Sequence, residues 1–396
     1  MPNISCTVLV LLLLFGIVRN APTISQNGRA VPAEVFESLE ELARIVDISY
    51  CVGSTGIRKP FQCLGWCSDF EGFELITTWN TGPLLSDSCG YVALSHDPYE
   101  KRVLVVFRGT YSIANTIADL STAHAEYLPF PTNASDNVCK QSTGVADIPY
   151  LLPQLTSISR RSIEEPDSCD NCTVHSGFLT SWQNTRCTII QHVTKAMHDH
   201  PDYKLVLVGH SLGGAVAAIA GLEFLARGFD PHITTFGEPR IGNYELNQYI
   251  DRKFKLGTTS VLNSTFRRVT HIDDPVPLLP LEEWGFKMHA GEIFISRAEL
   301  PVGREDLHAC VGDADRLCIT NGGEEPRAAM TSNEHPGETS NMYWDVPSRY
   351  KLWQLFFAHR DYFHRLGLCV PKSSPWNWRY GSEGEGEGNK NQAQRL

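Results

Sequence analysis

From Ala33 to Tyr50 the apolar residues Phe36, Leu39, Leu42, Ala43, Val46 and Tyr50 recur with a helical period, which predicts an amphipathic helix. Short apolar runs rich in β-branched residues follow at Gly90–Ser95, Arg102–Phe107, Leu205–Val208 and Ile233–Phe236, with Gly and Pro on their flanks, and these read as strands. A second helical stripe of Trp182, Ile189, Ile190, Val193 and Met197 stops at Pro201. Leu212–Ala226 is a nearly all-apolar helix, and Phe266–Thr270 is a further strand. Strand and helix thus alternate through the middle of the chain, which predicts a largely parallel sheet covered by helices. Between them, Ser121–Asp167 is rich in Pro, Ser and Asn and weakly periodic, and reads as an inserted surface excursion. Residues 372–396 form a tail whose Gly-Glu alternation predicts disorder from Gly381 onward.

Composition adds the compartment. Lys and Arg number 34 against 45 Asp and Glu, a net charge of −11, which argues against a nucleic-acid partner. With 42% hydrophobic residues in 396, the chain has enough apolar material for a packed core. The one long apolar run, Val8–Val18, is about half the ~20 residues that span a bilayer and sits at the N-terminus, where it reads as the core of a secretory signal peptide. Removal between Gly16 and Ala21 would leave a single domain over 22–371. Of the 12 cysteines only Cys6 lies in that leader, and such density suits an oxidising compartment. Cys63/Cys67, Cys169/Cys172 and Cys310/Cys318 are spaced as local staples. A zinc or redox reading of Cys169/Cys172 lacks a second CxxC or a paired-His cluster, so no metal is expected. An odd number of exported cysteines leaves at least one thiol unpaired or bonded between chains. The triplets beginning at Asn133, Asn171 and Asn263 are sequons compatible with glycosylation on that route.

The chemistry concentrates at Gly209-His210-Ser211-Leu212-Gly213, preceded by four apolar β-formers and followed by the apolar helix. A serine on such a strand–turn–helix corner is held in a strained backbone that presents its hydroxyl above the sheet. The glycines are required because side chains there would collide across the turn. The helix also directs its positive end at an oxyanion. A serine hydroxyl needs a base, and the base an orienting acid. The polar corner Asp273-Asp274-Pro275-Val276-Pro277 offers the acid, and five histidines follow it: His289, His308, His335, His359 and His364. Composition does not choose among them.

The chain resembles the secreted fungal class 3 triacylglycerol lipases over roughly residues 33–370, apart from the insertion. Gly209-His-Ser-Leu-Gly-Gly-Ala215 is similar to that family's nucleophile elbow, and Asp274-Pro-Val-Pro to its acid corner. The run from Ala358 to Cys369 resembles its C-terminal segment, in which the catalytic His lies 10 residues before a Cys. The resemblance implies an α/β-hydrolase fold and a triad of Ser211, Asp274 and His359, with His364 structural. It further implies a Cys51–Cys369 bridge, and an oxyanion hole at Thr110, in Phe107-Arg-Gly-Thr110, together with the Leu212 N–H. Ser112–Leu120 is similar in spacing to the family's lid helix, with Ile113, Ile117 and Leu120 forming one apolar edge. Thr116 stands where some members have tryptophan, and Tyr127, Leu128 and Phe130 of the insertion are expected to add lipid contact. Cys89, Cys139 and Cys187 receive no partner by this analogy.

These features together predict a secreted hydrolase that cleaves carboxylic esters, foremost acylglycerols, through an acyl-serine intermediate. It would need no metal or organic cofactor, and would touch lipid only peripherally. A phospholipase A1, a mono/diacylglycerol lipase, a feruloyl-type esterase and a catalytically silent secreted binding protein are the rival readings.

Overall fold

The computed structural model describes residues 29–82, 87–110, 124–130, 168–320 and 358–371. The leader 1–21, the lid residues Ile113, Ile117 and Leu120, Asn133, Cys139, His335 and the tail 372–396 lie outside the described residues.

An eight-stranded sheet organises the chain. Its strands in chain order are β1 (Phe73–Asn80), β2 (Cys89–Ser95), β3 (Arg102–Phe107), β6 (Lys204–His210), β7 (His232–Phe236), β8 (Phe266–His271), β9 (Glu292–Ile295) and β10 (Leu307–Ala309), which is also their spatial order. The middle is parallel, from β3 through β6, β7 and β8 to β9, while β1, β2 and β10 join antiparallel at the two edges. The helices are α1 (Ala33–Ile48), α2 (Ser176–Asp199), α3 (Leu212–Ala226) and α4 (Tyr244–Phe254). The helix expected to reach Tyr50 gives way at Ser49 to a 3₁₀ turn over Ser49–Cys51.

Alternation along the strands builds two cores. On β3, Val103, Val105 and Phe107 pack with the apolar residues of α2 and α3, while Leu104 and Val106 pack with those of α1. Tyr362, Phe363 and Leu366 of the C-terminal segment join the α1 side. Because α3 contributes buried residues all the way from Leu212 to Phe224, it is enclosed rather than amphipathic, as its nearly all-apolar sequence requires. Its single buried acid, Glu223, accepts from Trp182 Nε1 (2.7 Å) and Arg186 Nε (2.9 Å) of α2 and from Arg227 Nη2 (2.7 Å). That knot fixes α2 against α3.

The insertion departs from its surface reading where it is described. β4 (His124–Glu126) pairs antiparallel with β5 (Thr173–His175). Tyr127 is buried between Phe130 and Tyr249 of α4, so it is a core residue and not a lipid contact; Leu128 is exposed. Four disulfides link described residues: Cys51–Cys369, Cys63–Cys67, Cys169–Cys172 and Cys310–Cys318. The Cys169/Cys172 and Cys310/Cys318 sulfurs are thereby unavailable as metal thiolates, including at the spot where Glu292 lies beside the latter pair. Cys187 is also bonded, and Cys89 is a free thiol buried in β2. The side chains of Asn171 and Asn263 are exposed. No helix among the described residues is long and apolar enough to cross a membrane.

Candidate active site

Three neighbouring parallel strands end together. Phe107 of β3 lies opposite Gly209 of β6, and His210 of β6 opposite Phe236 of β7. Loops leaving the carboxyl ends of parallel strands therefore converge here, the usual crevice of such sheets. Ser211 occupies the corner between β6 and α3 with φ 58° and ψ −131°, a region that non-glycine residues seldom enter. Its N–H donates to Phe236 O at 2.9 Å, which pins the corner to β7. A Cβ on Gly209 would strike the backbone of Gly213, and one on Gly213 would strike Phe107 O, so both positions exclude any side chain.

The acid and the base come from opposite ends of the remaining chain. β8 ends at His271 and the chain turns sharply, leaving Asp273 exposed and Asp274 buried. His359 Nδ1–H donates to the Asp274 carboxylate, with 2.9 and 3.0 Å to its two oxygens. The same carboxylate accepts from Tyr362 Oη–H at 2.5 Å and from Val276 N–H at 2.9 Å. Three donors hold the anion in place. Burial and the neighbouring Asp274 push the Tyr362 phenol well above its usual pKa, so it stays a donor. With Nδ1 protonated, His359 Nε2 is a bare lone pair, buried and without a hydrogen-bond partner.

Two contacts place that imidazole against the segments that flank the elbow. Gly237, directly after Phe236, has φ +59°, and a Cβ there would lie 2.9 Å from His359 Cε1 and 2.9 Å from Asp274 Oδ2. The His359 ring also packs at 4.7 Å on His210, the residue before Ser211. His210 has its own fixed tautomer. Its Nε2–H donates to His359 O at 2.8 Å, so Nδ1 accepts from Tyr50 Oη–H at 2.5 Å. Burial, with the nearby His359, holds His210 well below the usual histidine pKa, which keeps that relay neutral.

The loop after β3 reaches the same point. A Cβ on Gly109 would meet Ser211 Cβ at 2.8 Å and His210 O at 2.9 Å, so the backbone leading to Thr110 runs directly against the elbow. On the other side, Leu212 opens α3, where first-turn N–H groups have no intrahelical acceptor.

Comparison with known proteins identifies the family. The family model for class 3 lipases matches residues 104–284. A protein named secreted mono- and diacylglycerol lipase 2, from Gibberella zeae, is 45% identical, the match covering 90% of this chain and 87% of that protein. The chain belongs to the class 3 lipase family. Lipase A of Sodiomyces alcalophilus is 44% identical over 91% of this chain and 88% of its own length. A crystal structure of Lip2 lipase from Yarrowia lipolytica superposes with a TM-score of 0.64 at 26% identity, covering 86% of this chain and 97% of that one. As a member of this family the protein is a carboxylic ester hydrolase with the α/β-hydrolase fold. The segment matched by the lipase family model includes Ser211 and Asp274 but ends before His359.

Among the rival histidines, His289 is buried against Glu238 (2.8 Å), His308 contacts Ser296 Oγ (3.1 Å), and His364 packs 4.9 Å from Trp66. Of the described histidines after Asp274, the one on its carboxylate is His359. Sequence reasoning overlooked Tyr50, His210, Gly237 and Tyr362. Gly237 and Tyr362 had a local signal, since one follows a predicted strand and the other lies three residues beyond His359. Tyr50 and His210 had none, because their contact spans 160 positions.

Proposed function

We propose that this lipase is exported and cleaves acylglycerol esters at a lipid–water interface through Ser211, His359 and Asp274. The observation that carries the reading is the buried Asp274–His359 pair, whose Nε2 has no hydrogen-bond partner and whose imidazole packs on His210, the residue that precedes a serine held at φ 58°. In this reading Ser211 Oγ attacks the ester carbonyl carbon while His359 Nε2 takes its proton. Asp274 stabilises the resulting imidazolium. Thr110 and the Leu212 N–H receive the oxyanion. Collapse expels the alcohol, which takes the proton from Nε2, and water then releases the acid from the acyl-serine by the same steps. The name of the Gibberella zeae relative, a mono- and diacylglycerol lipase, favours partial glycerides over the triacylglycerols expected from the sequence.

The test is labelling with a serine-reactive fluorophosphonate, followed by rates on monoolein, diolein, triolein and a phospholipid. Labelling of the wild type, its loss in Ser211→Ala, and hydrolysis of monoolein and diolein are the expected results. Asp274→Asn should reduce turnover by several orders of magnitude, and Asp273→Asn only mildly. An unlabelled wild type, or label surviving Ser211→Ala, overturns the mechanism. Preference for phospholipid overturns the substrate.

A further inference from the structure

His359 sits on a turn and not on a helix or strand, yet a general base must hold its position to within a fraction of an ångström. That turn is closed on itself. Arg360 O accepts from Leu366 N at 2.8 Å, and the Arg360 guanidinium donates to Gly367 O at 2.8 Å and Leu366 O at 3.3 Å. Besides the Cys51–Cys369 bridge, the His210 and Asp274 hydrogen bonds and the packing of Tyr362, Phe363 and Leu366, a carboxylate from the other end of the chain ties the closed turn to the body of the protein. Asp47 Oδ1 accepts from Gly367 N at 2.5 Å, while Oδ2 accepts from Trp66 Nε1 at 2.9 Å.

Nothing local explains an acid at this position. Asp47 is buried, and it lies in the last turn of α1, where the helix dipole disfavours negative charge. Burial pushes its pKa up to about 6, against the opposing pull of the Gly367 N–H, the Trp66 N–H, Arg360 and the Leu368 N–H. The sign follows from linkage. The folded pKa exceeds the unfolded one, so this group contributes stability at low pH that is lost as pH rises toward about 6. Above about pH 6 the protein thus carries a carboxylate that works against its own fold.

We propose that Asp47 is a positioning residue for the catalytic base: as a carboxylate it holds Gly367 and, through the Arg360 ring of hydrogen bonds, the turn that carries His359. The proposal rests on the reading of His359 as the base. Asp47 touches no reacting atom. Its role is to present two charge-enhanced acceptors to donors on two separate segments, which an amide or a protonated acid does less well. The charged and titratable groups around it are Arg360 on the C-terminal turn, Tyr50 after α1 and Tyr91 on β2, with His364 on the Trp66 ring. Both phenols are raised by burial and stay protonated through neutral pH, and Arg360, though lowered by burial, stays cationic.

The experiment measures kcat and KM on tributyrin from pH 4.5 to 9, each enzyme normalised by fluorophosphonate titration of its reactive serine. Asp47→Asn is expected to lower kcat about tenfold at pH 8 with KM within about twofold, and the gap to the wild type should close as pH falls through about 6. A gap that is absent, or constant with pH, overturns the proposal. Trp66→Phe keeps the aromatic packing but removes one donor that lowers the Asp47 pKa, so the acid limb of kcat should move to higher pH. This second variant decides the matter if Asp47→Asn does not fold; an unmoved limb overturns the proposal. His359→Ala separates the two claims. Full activity there removes the base assignment itself, whereas its loss combined with a pH-independent Asp47→Asn ratio removes only the role of Asp47.

Discussion

Gly237→Ala adds one methyl group at the point where the strand β7 meets the proposed triad. The backbone there has φ +59°, so an alanine bears the left-handed cost of about 1–2 kcal/mol. Its Cβ would also sit 2.6 Å from Tyr362 Oη, 2.9 Å from Asp274 Oδ2 and 2.9 Å from His359 Cε1. Tyr362 is buried between Phe236 and His210 and cannot swing away, so overpacking adds about 1–3 kcal/mol. The total of about 2–5 kcal/mol corresponds to a Tm lower by about 3–7 °C in a domain of this size. All three contacted groups belong to the hydrogen-bonded acid–base unit, so relief of the clash displaces it, and kcat should fall about 100-fold or more. Gly228→Ala is the control. It also has positive φ (+87°) but nothing within 4 Å of the added carbon, so it should lose about 1 kcal/mol and keep its kcat. Scanning calorimetry and turnover on tributyrin at 25 °C are the assays. Equal Tm losses in the two variants, with wild-type kcat in Gly237→Ala, would refute the reasoning.

Two stability predictions accompany it. Glu223→Gln leaves Arg186 and Arg227 facing a neutral amide inside the α2–α3 contact, and should destabilise by about 3–5 kcal/mol in urea titration with kcat unchanged at low temperature; a loss below about 1 kcal/mol would contradict the structure. The Cys51–Cys369 bridge spans 318 positions, for which chain entropy gives about 6 kcal/mol, so the double serine variant should melt about 8 °C lower; a Tm within about 2 °C of wild type would count against a constraining role.

The elements legible in the sequence were those whose burial is one-sided or complete. The α3 span emerges residue for residue because its run from Leu212 to Ala226 is apolar at every position but Glu223. β9 was hidden, since its first residue is Glu292, a charge made tolerable in the sheet by Arg268 (3.2 Å) and Thr270 (2.5 Å) on β8. α4 carried a readable signal in Leu246, Tyr249, Ile250 and Phe254, with Asn243 as its N-cap, and was passed over amid its polar majority. At the site, local pattern located Ser211, whereas Asp274 and His359 were chosen by resemblance. Their pairing is a long-range fact, 85 positions apart, that no periodicity encodes. Asp47 lay in plain view within a predicted helix, and only the fold reveals that its partner is Gly367.

The separation of the site residues along the chain sets a timetable for synthesis. A ribosome making this protein delivers Ser211 first, then Asp274, and His359 nearly last, with Cys51 waiting for Cys369. A nascent chain that stops between Asp274 and His359 carries the proposed nucleophile and acid but no base. Such a chain cannot hydrolyse an ester by the proposed mechanism. Activity would begin when the final segment docks against α1, and the covalent closure of the two ends would mark the moment at which a harmless translation product becomes an enzyme.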